Sequence, residues 1–407
     1  VITLNDLKEQ SKACTCGNKH IDVVIEKVVI SHDAITETIT YLSEKNFQHV
    51  TVVADSTTYQ VAGEKLTSLL IESAIPHQVV VIQPNDQGDV VADEVSLIEA
   101  MLGIPQETDV VIAVGAGTIH DIARFSSYKM GKPFISVPTA PSVDGFNSMG
   151  APVVIKGMKT TYQMQTPIAL FADISILQAA PKEMIAAGFG DMIGKYTSLA
   201  DWRFSHLVNG EPYCPLSARL TREALKECEN HINEIAQGDR KGIRVLIEAL
   251  IQSGYAMLIV GHSSPASGGE HHVSHLWEMK FLQQHKPQVL HGAKVGVSSQ
   301  VILDLYKKRF KDLVASKQQL EALPVGKKDK ILKVLENRDE ILTVLASLPE
   351  SSYIGDQLGK LGGAVKPLDL GIDEQLVVES LKNAHKIRSR YTMLKFWNDH
   401  LGAHQHA

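Results

Sequence analysis

The chain has 407 residues, 44% of them hydrophobic and 21% charged, with a formal net charge of -6 at pH 7. That length favours two domains over one core, and the charge balance argues against nucleic acid or an anionic membrane surface as partner. No run of eighteen uninterrupted apolar residues occurs, the first residues lack a charged-then-apolar leader pattern, and four cysteines are too few for a disulfide framework. The expectation is therefore a cytoplasmic globular protein without a membrane span.

In chain order, the first motif is "CTCGNKH", with Cys14, Cys16 and His20. It resembles one half of a zinc site, but no second close Cys or His pair follows nearby. The segment therefore reads as a reduced, partly exposed terminus. Short Val/Ile-rich runs over 49–56, 77–82, 109–115 and 133–139 are predicted as buried parallel strands. Helical patterns over 58–73, 93–102 and 119–130 separate them, as in right-handed βαβ units. From about 149 a hairpin is predicted around "KGMK", and one more strand within 167–177. Beyond Pro181 strand signals stop. Apolar positions with a 3.6-residue period run through 216–236, 244–260, 294–310 and 373–397. The basic runs at 306–311 and 326–333 alternate with apolar residues and read as solvated helix faces. The predicted architecture is an α/β N-terminal domain with a mostly parallel, Rossmann-like sheet (1–180), then an all-helical C-terminal domain (181–407), with the active site in the cleft between them.

The strand at 109–115 ends on Gly115-Ala116-Gly117 and opens directly into a helix. Small residues and free helix-start amides suit a phosphate, although His120 stands where the full dinucleotide fingerprint has glycine, and a tight turn without a ligand gives the same pattern. Asp55, at the end of an earlier strand, can accept from ribose hydroxyls and repel a 2′-phosphate, which favours NAD(H) over NADP(H). A proline-bent loop after the 133–139 strand adds Thr139, Ser142, Asp144 and Ser148. Three loops at the carboxyl ends of parallel strands form the expected ligand crevice.

Residues 268–275 read "GGEHHVSH", and a helix starting near Glu270 places His271 and His275 on one face. His272 points elsewhere and is expected to be exposed or structural. His291 opens a later apolar helix, and Asp191, in a glycine-rich turn, is expected to cap a helix while offering a second oxygen to a metal. Asp191, His271 and His291 are candidate ligands for a Lewis-acidic divalent ion, although each also has an ordinary structural explanation.

Taken together, "GAGT", "PTAPSVDG", "GFGD", "SGGEHHVSH" and "HGAKVG" resemble the glycerol-1-phosphate dehydrogenase family, in its bacterial, arabinose-operon-associated branch. That family lies within the group of glycerol dehydrogenases, iron-containing alcohol dehydrogenases and dehydroquinate synthases, and the resemblance spans about 25 to 395. It implies metal-dependent, NAD(P)H-linked, reversible reduction of dihydroxyacetone phosphate to sn-glycerol 1-phosphate, the metal polarising the carbonyl for hydride transfer. By motif position, Asp191, His271 and His291 would bind the metal. Gly117, Thr118, Ile119, His120, Asp121, Thr139, Ser142 and Ser148 would touch the dinucleotide. Asp144, His275 and Asp191 would approach the substrate, with His275 or Asp144 relaying a proton. The resemblance implies Ni2+ or Zn2+, which the ligand set does not separate, and a homodimer or larger homo-oligomer.

Ala116 departs from the family's commoner all-glycine turn. For the phosphate, Lys159, Thr160, Lys195 and Lys294 stand as candidates beside their reading as surface residues, and Arg388 and Arg390 are assigned to packing of the last helix. The exposed hairpin over 152–164 is the candidate subunit interface. The rival readings are an alcohol dehydrogenase for an unphosphorylated substrate, a dehydroquinate-synthase-like lyase, and a non-catalytic metal or nucleotide sensor.

Overall fold

The structure, a computed structural model, describes residues 2–323 and 328–401. Six strands form one parallel sheet: β1 (Lys27–Ser31), β2 (Val50–Asp55), β3 (His77–Ile82), β4 (Val110–Gly115), β5 (Phe134–Pro138) and β8 (Ala169–Asp173). β6 (Gly150–Ile155) and β7 (Met158–Gln163) pair as the expected antiparallel hairpin. The sheet order is β1-β8-β5-β4-β2-β3. Every residue of β4 is buried, because Val110, Ile112 and Val114 fill one apolar layer while Val111 and Ala113 fill the other. Two-sided burial is why this strand reads as a continuous apolar run.

The chain leaves β2 outward to β3 and then returns to β4 on the other side of β2. That reversal is the topological switch point, where open α/β sheets bind ligands at the strands' carboxyl ends. β2 ends there on Asp55 and β4 on Gly115, each two residues beyond the Val53–Ala113 pairing. β1 was missed in the sequence. Its five half-buried residues at the sheet edge give too short a pattern.

No strand follows Asp173 among the described residues. The largest apolar cluster is built chiefly by helices beyond 181. At its centre runs Arg240–Val260, long and apolar enough by length and composition to cross a membrane, with 72% of that window buried inside the protein. Residues 2–21, grouped in the sequence with the sheet, lie on this helical part. The Ile2 amide donates to Gln252 Oε1 (2.8 Å), Leu7 is fully buried, and the Ile21 amide donates to the Ile259 carbonyl (2.9 Å).

Three helical expectations need correction. The 216–236 pattern breaks at His231 into Pro215–Asn230 and Ile232–Gln237. The 373–397 pattern ends at Asn383, passes through a 3-10 turn and resumes as Met393–Leu401, so Arg388 and Arg390 sit in an irregular segment rather than in a terminal helix. Asp191 caps nothing, because it lies near the end of the Lys182–Ile193 helix. Of the basic runs, Tyr306–Phe310 buries its two aromatics and exposes Lys308 and Arg309. Residues 326 and 327 of the other run lie outside the described residues, and Lys328–Glu336 is helical.

Candidate active site

The Gly117–Lys129 helix starts straight from β4, and its N-cap, Ala116, offers no side-chain acceptor. The first-turn amides are thus left for an anion. A Cβ at 117 would lie 2.9 Å from Val143 Cγ2 and would push that side chain aside. Arg124, fully buried on the same helix, holds the loop that follows β5. Its guanidinium donates to the Gly145, Phe146 and Gly150 carbonyls (2.5, 3.1 and 2.9 Å) and pairs with Asp121 (3.1 Å). The Thr139 amide ties the loop's start to the Gly115 carbonyl (3.0 Å).

The "GFGD" glycines act inside a helix rather than in a turn. A Cβ on Gly188 would lie 1.8 Å from the Pro141 carbonyl oxygen, and one on Gly190 would lie 2.3 Å from that of Gly292. Their absence lets the Asp191 helix touch both the 139–150 loop and the His291–Leu305 helix. Asp191 thereby meets Asp144, whose amide donates to Asp191 Oδ2 (3.0 Å). Lys195 bridges the two carboxylates, 2.7 Å from Asp144 Oδ2 and 3.0 Å from Asp191 Oδ1. Burial alone would lower the Lys195 ammonium, but Asp144 and Asp191 raise it above the usual lysine range.

The Gly269–Gln283 helix carries the histidines. Its first amide is capped by buried Asp201 (2.7 Å), which also holds the Tyr306 hydroxyl and the Met393 amide. Ring centroids lie 5.1 Å apart for His271–His291, 5.8 Å for His275–His291 and 5.9 Å for His271–His275. Glu270 accepts a hydrogen bond from His271 Nδ1 (2.7 Å), and its two oxygens also accept from the Gly268 amide and the Thr197 hydroxyl (2.6 Å each). That leaves His271 Nε2 facing Asp191 Oδ1 at 3.8 Å. Ligand atoms of Asp191, His271 and His291 all lie within 4.8 Å of one another. Burial lowers the His271, His275 and His291 imidazoles well below their usual pKa, which favours the neutral form whose lone pair a metal needs. One carboxylate, two neutral imidazoles and an outer carboxylate fixing a tautomer together fit a divalent cation. His272, expected to be exposed or structural, is fully buried on another face.

A cavity of about 370 Å³ joins these parts. Ala116, Gly117, Thr118, Asp121, Ser142, Asp144, Ser148, His271, His275 and His291 line it, and Asp191 stands just behind the wall. Other predicted contacts are not in the lining. Ile119 is core. His120 turns into the protein, with Nε2 2.7 Å from Ser136 Oγ and Nδ1 2.9 Å from the Ala116 carbonyl, and burial lowers it to about 3. Gly115 and Thr139 brace the turn from behind. Asp55 sits at the switch point, where its Oδ1 accepts from the Thr58 amide (2.8 Å).

Of the four phosphate candidates, Lys159 and Lys294 reach the cavity, whereas Arg124, Glu270, Glu278 and Arg388 had been given no role at the site. Lys159 of the hairpin and Lys294 both line the cavity and share Glu278 (2.7 and 3.0 Å). Although burial favours protonation of Glu278, these lysines hold its carboxyl well below the usual range. Arg388, assigned to packing, also reaches the cavity and donates to Ser267 Oγ (2.7 Å). The hairpin is thus a cavity wall. Glu270 adjoins the histidines in sequence and was the one legible omission. Arg124, Glu278 and Arg388 carry no local signal.

Residues 29–181 match the iron-containing alcohol dehydrogenase family. The chain is 50% identical over 399 residues to the glycerol-1-phosphate dehydrogenase [NAD(P)+] of Geobacillus stearothermophilus, covering 98% of each. It is 31% identical over 379 residues to the enzyme of the same name from Pyrococcus furiosus, covering 92% of this chain and 94% of that one. Among solved structures, maleylacetate reductase from Rhizobium sp. strain MTP-10005 superposes with a TM-score of 0.65 at 12% identity, over 92% of this chain and 93% of the other. That likeness concerns the fold alone.

Proposed function

The chain belongs to the glycerol-1-phosphate dehydrogenase family, and from that premise we propose that it reversibly reduces dihydroxyacetone phosphate to sn-glycerol 1-phosphate with NAD(P)H and a divalent metal. The observation that carries the reading is one cavity reaching from an uncapped helix start to the Asp191/His271/His291 cluster, with Lys159, Lys294 and Arg388 in its wall.

A divalent ion held by Asp191, His271 and His291 would supply Lewis acidity toward a carbonyl oxygen, and the dinucleotide would supply the hydride. The chain's own residues do the rest. Gly117 and Thr118 at the helix start, with Ser142 and Ser148 opposite, cradle the pyrophosphate. Gly115, Ile119, His120 and Thr139 shape that turn from behind, and Asp121 forms its wall. Asp55 selects NAD(H) over NADP(H) by accepting from ribose hydroxyls. Lys159, Lys294 and Arg388 bind the phosphate, their three positive charges opposed only by Glu278 among these four side chains. Lys195 holds the Asp144 and Asp191 carboxylates in place, and Ser253 steadies Asp144 Oδ2 from 2.7 Å. His275 relays a proton through its ring nitrogens between the substrate oxygen and the cleft, with Asp144 beside the substrate.

The ion is Ni2+ or Zn2+. The two divisions of the chain are 1–180 and 181–407, with residues 2–21 resting on the second. The protein is cytoplasmic and assembles as a homodimer or larger homo-oligomer. The deciding experiment follows NADH and NADPH oxidation by chelator-stripped protein restored with Ni2+, Zn2+ or Mg2+ in turn. Turnover of dihydroxyacetone phosphate but not dihydroxyacetone, with Ni2+ or Zn2+ and a preference for NADH that Asp55→Ala erodes, is the expected result. No oxidation with any ion would refute the dehydrogenase reading.

A further inference from the structure

The N-terminal motif acquires its missing partner from far along the chain. Cys14, Cys16 and His20 meet Cys214, at the N-cap of the Pro215–Asn230 helix. Cys14 Sγ is 3.9 Å from Cys214 Sγ, while His20 Nε2 lies 3.2 Å from Cys16 Sγ and 3.4 Å from Cys214 Sγ. All four atoms lie within 4.8 Å of one another. A tetrahedron built on zinc–sulfur and zinc–nitrogen bonds has edges of about 3.8 Å between sulfurs and about 3.6 Å between sulfur and nitrogen. The Cys14–Cys214 edge of 3.9 Å matches the first, and the two His20 edges of 3.2 and 3.4 Å are slightly shorter than the second, so small shifts would close the tetrahedron around an ion.

Its surroundings prepare the ligands. His20 Nδ1 lies 3.1 Å from the Ser11 carbonyl, to which it donates, so Nε2 keeps its lone pair toward the sulfurs. Asn18 Nδ2 donates to Cys16 Sγ (3.4 Å) and to the Tyr213 carbonyl (2.8 Å), clamping the loop beside Cys214. The Ser217 amide, in the first turn of the helix that Cys214 caps, donates to Cys214 Sγ (3.5 Å). Gly17 provides the left-handed turn (φ 80°) that reverses the chain after Cys16. Two of the three sulfurs thus accept hydrogen bonds from N–H groups, as metal-bound thiolates do.

We propose that Cys14, Cys16, His20 and Cys214 form a second, structural site for a borderline-soft divalent ion, Zn2+ by its chemistry, separate from the Asp191/His271/His291 cluster. With four protein ligands the site is closed and has no position for substrate. It fastens the N-terminal strap to the helical part. From there the chain bonds to Ile259, two residues before the Gly261–Ser263 stretch that lines the catalytic cavity, and then the Glu26 amide bonds to the Ile168 carbonyl as the chain enters β1. The ion therefore pins a segment that joins the helical part to the sheet edge.

The test loads the purified full chain with Zn2+ or Co2+ and measures metal per chain together with the cobalt absorption spectrum. Two ions per chain are expected, falling to one in Cys16→Ser and, independently, to one in His271→Ala. Thiolate-to-cobalt charge-transfer absorption should persist in His271→Ala and vanish in Cys16→Ser. Cys16 lies on a half-buried loop, so its serine variant tests the site without disturbing the buried Cys214. A cobalt spectrum lacking charge-transfer absorption in wild type, or a disulfide within the cluster found by mass spectrometry, would overturn the proposal.

Discussion

Glu270→Gln is the most discriminating change at the proposed metal cluster. Glu270 is fully buried, and three donors converge on it: the Gly268 amide, His271 Nδ1 and the Thr197 hydroxyl. Glutamine has the same length. Its carbonyl oxygen can keep the first two bonds, and its amide can face Thr197 Oγ1, whose hydroxyl hydrogen can turn to the Gly194 carbonyl (3.0 Å) so that the oxygen accepts. The fold should survive, while His271 loses the carboxylate that fixes its tautomer and raises its basicity. Outer partners of metal-bound histidines are worth about 10–100-fold in affinity, or roughly 1.4–2.7 kcal/mol. Burial raises the Glu270 pKa, against the opposing pull of the Thr197 hydroxyl, the Gly268 amide and Lys195. The assay is competition for the catalytic ion against a chromophoric chelator, with the apoprotein's thermal midpoint as a fold control. Unchanged metal affinity would mean that Glu270 is already neutral, and the assignment of His271 Nε2 as ligand would lose its support.

Gly190→Ala places a Cβ 2.3 Å from the Gly292 oxygen. It should destabilise by about 1–3 kcal/mol and weaken metal binding by spreading the two helices, and equal melting and metal titrations would refute the close-approach argument. Arg388→Ala should raise KM for dihydroxyacetone phosphate by roughly 10–100-fold, the worth of a hydrogen bond to a charged group, with a smaller change in kcat; an unchanged KM would remove Arg388 from the phosphate site. Burial pushes Asp121 up to about 7 against the pull of Arg124 and Lys159, with Glu278 adding to the push. The folded state therefore binds more protons than the unfolded one between pH about 4 and about 7, and stability contributed here falls as pH rises through that window. Asp201, likewise pushed up to about 7 by burial and by Glu270, contributes in the same sense. Urea midpoints of Asp121→Asn apoprotein at pH 5 and 8 should differ less than those of wild type, and an equal difference would refute the assignment.

Much of this was legible in the chain itself. The parallel strands announce themselves because two-sided burial demands unbroken Val/Ile runs, and β4 is buried at every position. The histidines of "GGEHHVSH" could be paired from helical spacing alone, since residues four apart share a face. Helix breaks at His231 and after Asn383 were not legible, because apolar periodicity continues across them. Local pattern misread the "GFGD" glycines as a turn, whereas they are contact points within a helix. Their meaning depends on the Pro141 and Gly292 carbonyls opposite, which lie 47 and 102 residues away. Cys214 is the sharpest case, lying 194 residues beyond His20 with no neighbouring cysteine or histidine to mark it. Sequence determines which side chains a short element presents together, because backbone geometry fixes their spacing. Which elements then face one another is decided only by packing, and the Asp191/His271/His291 cluster, the lysine-lined cavity wall and the N-terminal cluster are all assembled across such contacts.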